Sequence, residues 1–401
     1  MYTVMAMKLK PRRCPYHFLV GASLILAFSS CASVGRAALP ATADEADGLK
    51  KPDWLEFVFA GDIMAHESNY LMGDYADIYR DVHPILASDS LSFGNLEMPV
   101  ADSLPLSTYP RFNVHGGYVD AAIAGGFDVF SLANNHSNDQ GSRGIGETLA
   151  RMKASEGKVA SSGLRSAAGE PMRPVLIEKN GWRILFLAVT EILNSYDTSK
   201  SLVYLIGTGK AERAKFCDEL SRMRKEYPCD VFVLSIHLSE EEYVRNVSRR
   251  KREWFRAIAA AGVDIVWGHH PHVMQTWETY RGPEREDDAF FMYSMGNFIS
   301  GQRASPEYEN PDGYREYTGD AVLLRVRVSR EPSPDGSRFS AEAIPVTNHV
   351  DPARGIVVRR FDGAFLDSLG ARRRAYYVTR YSLMKSYLPL LPLEPDPTIL
   401  E

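Results

Sequence analysis

Residues 269–272 read His-His-Pro-His, three of the chain's ten histidines within four positions. Neutral imidazole is the commonest protein ligand for metals, and alternate side chains of an extended segment point to the same side, so two of the three are placed to reach neighbouring ions. Residues of the same chemistry recur at Asp62 and His66, at Asn95 and Glu97, at Asn135, His136 and Asp139, and at His237. Six of the ten histidines fall in these segments. Asp, Glu, Asn and His form the mixed oxygen and nitrogen set that suits Mn, Fe, Zn or Mg. The absence of cysteine from the set argues against a structural zinc finger. Two such ions about 3.5–4 Å apart would polarise a phosphoryl group and generate a hydroxide nucleophile.

These residues are scattered along the chain, so the elements that carry them must converge. From about residue 54, short β-rich runs alternate with helical patterns, the signature of an α/β fold. "EFVFA" (56–60) leads into "GDIMAHE", "SLSFG" (90–94) into "NLE", and "FDVFSLA" (127–133) into "NNHSNDQG". "CDVFVLSI" (229–236) leads into "HLSEEEY", and "VDIVWG" (263–268) into "HHPHV". Ligand sites in open α/β sheets form beyond the carboxyl ends of the strands, so the five ends predict one shared rim. Taken singly, each set has a plainer reading. Asp62 suits a turn. Asn134, Asn135 and Ser137 suit caps of the helix that follows. Asp139 suits a cap or a partner that orients a ligand, and Glu240 to Glu242 suit an acidic first helical turn. Only a metal site, or a degenerate descendant of one, accounts for all five together.

The chain of 401 residues is long enough for one large domain or two ordinary ones. A formal charge of −5 leaves no generally basic surface, which argues against a nucleic-acid partner. At the amino terminus Lys8, Lys10, Arg12 and Arg13 precede the short apolar run "HFLVGASLILAFSS" (17–30), the pattern of an export signal. "FSSC" resembles the lipobox of bacterial lipoproteins, which predicts acylation of Cys31, membrane anchoring through that lipid, and a periplasmic or cell-surface location. An ordinary cleaved signal before "GRAALPATA", or an uncleaved anchor, are the alternatives. Residues 1–31 are thus the signal and 32–53 a linker. A main domain follows over 54–350, with an extension over 351–401 packed on it. Export permits a disulfide between Cys217 and Cys229, and spacing alone leaves open whether they meet.

With these residues assembled, the chain resembles the capsule synthesis protein CapA family, linked to poly-γ-glutamate. The motifs that carry the resemblance are "FAGDIMAH", "GNLEMPV", "SLANNHSNDQG", "HLSEEEY", "GVDIVWGHHPHVMQ" and "YSMGNFI", in that order over roughly 56–299. The family is similar in fold to calcineurin-like metallophosphoesterases, which implies a four-layer α/β/β/α sandwich with a metal rim holding one or two ions. The resemblance implies Asp62, Glu97, Asn135, His237, His270 and His272 as metal ligands and His136 as the group that protonates the leaving group. His66, Asn95, Asp139, His269 and Asn297 are auxiliary candidates. Two positions depart from the phosphoesterase pattern. Met64 stands where a histidine is expected, with His66 nearby at a different spacing. The bridging aspartate is replaced by Asn95 or Glu97, of which the carboxylate is the better bridge. One metal position is therefore expected to be weak or empty. Leu238 and Ser239 replace a Trp-Gly-like pair after His237, which bears on the substrate side of the pocket.

Elsewhere, "RPVLIEKNGWRILFLAVTE" (173–191) reads as a hairpin over Asn-Gly, and "AVLLRVRVS" with "FSAEAIPVTN" as another. Residues 208–228 and 249–262 read as helices. "YSMGNFISG" reads as a strand ending in a Gly-Asn turn in which Asn297 holds the turn or orients a substrate. Residues 301–318 read as a loop near the site, and "ARRRAYYVTRYSLMKSY" as a helix packing on the domain. Two functions are compatible with this set. One is a metal-dependent hydrolase or transferase acting on a phosphoester or an anionic surface polymer. The other is a non-catalytic metal- or polymer-binding component that works with other capsule-assembly proteins.

Overall fold

Side-chain alternation along the strands sorts the apolar residues of this chain into separate clusters, and two sheets result. The computed structural model describes residues 35–38, 52–88, 91–283, 285, 287–334 and 336–388. The signal, Cys31 and most of the linker lie outside the described residues. In chain order the strands are β1 (Gly35–Ala38), β2 (Trp54–Ile63), β3 (Leu91–Leu96), β4 (Val129–Ser131), β5 (Ala160–Ser162), β6 (Val175–Lys179), β7 (Trp182–Thr190) and β8 (Val231–His237). They continue with β9 (Ile265–His269), β10 (Trp277–Tyr280), β11 (Ala289–Met292), β12 (Asn297–Ile299), β13 (Asp320–Ser329), β14 (Phe339–Asp351) and β15 (Gly355–Arg360). The helices are α1 (Glu67–Tyr70), α2 (His83–Leu86), α3 (Gly116–Ala124), α4 (Gly141–Ala154), α5 (Lys210–Glu226), α6 (Arg249–Ala260), α7 (Gly363–Asp367) and α8 (Ala371–Tyr387).

One sheet has the order β1-β6-β7-β8-β9-β11-β10; the other runs β15-β14-β13-β2-β3-β4-β5, with β12 pairing β2. In β7, Ile184, Phe186 and Ala188 join the core shared with Phe57, Phe59 and Phe93 of the other sheet. Leu185, Leu187 and Val189 join a separate cluster with Phe216 and Leu220 of α5 and Trp254 and Phe255 of α6. Val119 and Ala122 of α3 and Tyr376 and Tyr377 of α8 belong to the larger core, so helices lie on both sides of the sheet pair. This is the α/β/β/α sandwich that the family resemblance implies.

The hairpin over Asn180 and Gly181 forms, with φ of 49° and 72°, as a primed two-residue turn demands. β13 and β14 form the second hairpin. Two local expectations fail, and one open pairing is decided. Residues 238–248 contain no helix, so Glu240 to Glu242 are not a helical first turn. Asn297 opens β12 beside Asp62 instead of closing a turn, because Gly296 at φ 68° makes the bend before it. Cys217 and Cys229 are both free: Cys229 Sγ accepts from Arg224 Nη1 at 2.9 Å, whereas Cys217 faces Ala257 on α6. Residues 355–360 extend the sandwich, since β15 pairs β14 along its length.

β12 lies so close to β2 that a Cβ at Gly61 would stand 1.9 Å from the Gly296 carbonyl oxygen. Gly61→Ala is expected to cost about 2–3 kcal/mol, because backbone and not a flexible side chain must yield. Thermal unfolding of the variant checks this, and an unchanged midpoint would contradict the pairing.

Candidate metal centre

Parallel pairing sets the polar residues level with one another. Asp62 on β2 is in register with Asn95 on β3 and Asn297 on β12, and His237 on β8 with Thr190 on β7 and His269 on β9. The two groups belong to different sheets, and the centre forms where the two carboxyl-end rims face each other. Hydrogen bonds tie the two sheets to each other: Trp267 Nε1 donates to the Ala60 carbonyl at 3.1 Å, Ser235 Oγ to Ser131 Oγ at 2.8 Å, and the Ala188 amide to Ser162 Oγ at 3.1 Å.

His272 bridges the acids. Its Nδ1 is 3.1 Å from Asp62 Oδ2 and its Nε2 is 3.7 Å from Glu97 Oε1. His237 Nε2 is 3.8 Å from the same Glu97 oxygen and 3.1 Å from His270 Nδ1. One ligand atom each from Asp62, Glu97 and His272 lies within 4.8 Å of the others, a set that one ion can bind. The donors fit a cation on a second ground. Glu97 Oε1, Asn135 Oδ1 and His237 Nδ1 are buried without a hydrogen-bond partner among the described residues. Leaving such an atom unpaired costs about 1–3 kcal/mol, which a metal at the rim would offset for those that face it. The histidine pair reaches the rim by a route the sequence did not suggest. His270 and His272 adopt φ of 107° and 56°, so a left-handed bend around Pro271, not strand alternation, presents them.

Electrostatics divide the two carboxylates. Burial pushes the Asp62 carboxyl upward, but hydrogen bonds from His269 and His272 outweigh it and hold Asp62 well below the usual carboxylate range. Burial and the neighbouring Asp62 charge instead raise Glu97 well above that range. Burial lowers His237 and His269, and it pushes His270 down to about 3. Metal binding requires neutral imidazole and ionised carboxylate, so these histidines are ready, while a cation would draw the proton from Glu97.

The auxiliary candidates take distinct places. Asn95 is a clamp: its Nδ2 donates to Asp62 Oδ1 at 2.8 Å and to Glu97 Oε2 at 3.0 Å, so Glu97 is the carboxylate of that segment at the rim. His269 supports Asp62 from 3.3 Å and contacts Ser235 Oγ at 3.1 Å. Asn297 Oδ1 lies 3.0 Å from His272 Nδ1, and its amide donates to the Thr318 carbonyl, which fixes that ring. His66 is not in the ligand group; its Nδ1 accepts from the Gly301 amide at 3.1 Å, and it forms part of a cavity wall with Met64.

The segment after β4 is a run of turns. α4 begins only at Gly141 with no side-chain cap, so Asn134, Asn135 and Ser137 do not cap it. Asn134 instead donates to the Leu96 carbonyl at 2.9 Å, and Asn135 donates to Asn194 Oδ1 at 3.3 Å. His136 and Asp139 form a dyad, Nδ1 to Oδ2 at 2.7 Å, with Asp139 also accepting from the Phe112 amide. Asn194 is a functional candidate that the sequence reading missed. Its Nδ2 lies 3.1 Å from His136 Nδ1 and its Oδ1 accepts from Asn135, so it positions both members of the pair. The rule of polar residues after a strand finds it too, since Asn194 follows β7. His136 and His272 form the inner side of a cavity of about 350 Å³, with Glu242, Tyr243 and Arg315 nearer the outside.

A family model described as bacterial capsule synthesis protein PGA_cap matches residues 56–302. The PGA biosynthesis protein CapA of Bacillus subtilis (strain 168) is 27% identical over 264 residues, which is 62% of this chain and 64% of that protein. The capsule biosynthesis protein CapA of Bacillus anthracis is 27% identical over 264 residues, 62% of this chain and 60% of that protein. The chain thus spans less than two thirds of either relative. Among solved structures, a hypothetical protein from Thermus thermophilus superposes with a TM-score of 0.42 at 16% identity, covering 73% of this chain and 99% of that one. The matched residues of the family model include every ligand candidate and end before Arg315.

Proposed function

The chain belongs to the bacterial capsule synthesis protein family PGA_cap, and from that premise we propose that it serves the biosynthesis or export of an anionic surface polymer of poly-γ-glutamate type through a metal centre of metallophosphoesterase kind. The observation that carries the reading is the convergence of Asp62, Glu97 and His272 from three separate strand ends. Asn135, His237 and His270 complete the donor set for one or two divalent ions. A bound ion of this class would polarise the scissile group and lower the pKa of water. His136, oriented by Asp139 and Asn194, is placed to give a proton to the leaving group as general acid. The protein acts outside the cytoplasm, held to the membrane by a lipid on Cys31 and working beside other capsule-assembly proteins. Among the described residues no helix is long and apolar enough to cross a membrane.

One observation favours a non-catalytic reading, in which the pocket only binds polymer or metal. Met64, at the position where the phosphoesterase pattern expects a histidine, lies buried on the cavity wall, and its thioether is a poor partner for hard cations. Elemental analysis of the purified full chain, before and after incubation with manganese, tests the reading. One or two ions per chain are expected. An ion content no higher than buffer after incubation would overturn the metal centre and leave an assembly role.

A further inference from the structure

The segment after β12 is a fixed wall of the cavity and not a slack surface loop. Glu316 is buried; its Oε2 accepts from Tyr376 Oη on α8, and its Oε1 accepts from the Glu307 amide at 3.2 Å. Arg303, itself buried, donates to the Glu316 carbonyl at 2.8 Å, and Arg380 of α8 donates to the Pro311 carbonyl at 2.7 Å. The Tyr317 ring lies between the guanidinium groups of Arg245 and Arg380, at 3.7 Å and 4.0 Å. Tyr314 meets Tyr243 edge to face at 5.8 Å. Arg315 sits between these anchored neighbours. It is exposed on the cavity wall and makes no ion pair among the described residues. A backbone held this firmly with an unpaired guanidinium at the opening is pre-organised for an anion.

The groups around it narrow the anion. Among the described residues lining the cavity, Arg315 is the only Lys or Arg, and Glu242 lines it as well. His66 adds no charge at neutral pH, because burial pushes its ring down to about 4. Away from any ion at the rim, one guanidinium beside one carboxylate matches a singly charged group better than a dianion. The guanidinium fork matches the plane of a carboxylate. Glu242 is then available to accept an N–H from the same ligand. The rings of Tyr109, 70% exposed, and Tyr243 offer apolar faces for a short methylene stem.

We infer that Arg315 determines specificity at this site by seating one carboxylate of an amide-linked, carboxylate-bearing substrate, whose linkage then lies toward His136 and His272. The inference rests on the proposed function and assigns its substrate side to a segment beyond the family match.

Calorimetric titration of the full chain with a γ-linked glutamate trimer tests it, with inorganic phosphate titrated separately. Arg315→Gln is expected to weaken trimer binding at least tenfold while metal content and melting temperature stay unchanged. Arg315→Lys, which keeps the charge and loses the fork, is expected to recover only part of the affinity. Trimer binding that changes less than twofold in Arg315→Gln would overturn the inference, as would phosphate affinity that falls as far as trimer affinity in that variant, or a wild-type chain that binds no trimer. Metal content of the same samples separates the two ideas. An intact metal load with Arg315-independent binding sinks only this inference, whereas no metal in the wild type sinks the centre it rests on.

Discussion

Asp320→Asn is expected to cost about 3–5 kcal/mol of folding free energy at neutral pH, lowering the melting temperature by roughly 5–10 °C. Asp320 Oδ1 accepts from Arg303 Nη1 at 2.6 Å and Oδ2 from Arg380 Nε at 2.9 Å, and all three side chains are fully buried. An amide of the same size leaves two buried guanidinium groups without their shared countercharge. Such a truncation costs far more than the intact triad contributes relative to an apolar replacement. Burial pushes the Asp320 carboxyl up, but Arg380 and Arg303 outweigh it and hold it below its ordinary value of 3.8. A depressed carboxyl gives stability that is present above 3.8 and lost as pH falls through the folded value. The gap between wild type and variant should therefore narrow in strong acid. Denaturant melts at about pH 7 and pH 2.5 provide the comparison, and a gap below about 1 kcal/mol at neutral pH would show the triad to be dispensable. The same variant should loosen the wall that carries Arg315, since Arg303 and Arg380 hold both sides of it.

Glu97→Gln is expected to weaken metal binding about 100-fold or more while leaving the metal-free protein as stable as wild type or more so. Glu97 is fully buried beside Asp62, one of its oxygens has no partner, and its carboxyl is raised well above the ordinary 4.5. A group raised on folding gives stability that is complete below its unfolded value and lost as pH rises through the folded one. In chelator, wild type should thus lose stability above pH 4.5 relative to the variant, a window clear of the one set by Asp62, which lies below 3.8. With manganese present the order should reverse, because the ion stabilises only the chain that binds it. Thermal melts with and without metal read both effects. A variant that melts lower in chelator and still binds manganese like wild type would show Glu97 to be a structural acid.

What neighbouring residues encode was legible in the sequence. Short continuous apolar runs mark β7, β8 and β9. Asn180 and Gly181 mark a hairpin because few other residues tolerate that backbone. Polar residues directly after apolar runs named every residue of the ligand group, Asn95 and Glu97 as alternatives included. The tertiary structure decided which of these meet. Asp62 and His272 are 210 residues apart, and their contact depends on the order of strands in two sheets and on how the rims face, which no local pattern records. It also decided that Asn95 clamps and Glu97 faces the rim, since one donor between two carboxylates sets both. His270 and His272 turn inward through a left-handed bend that a strand-like reading of His-Pro-His does not contain. The wall bearing Arg315 takes its shape from Arg380 on α8, far along the chain. A loop's conformation depends on what packs behind it, and that partner becomes visible only when the chain has folded.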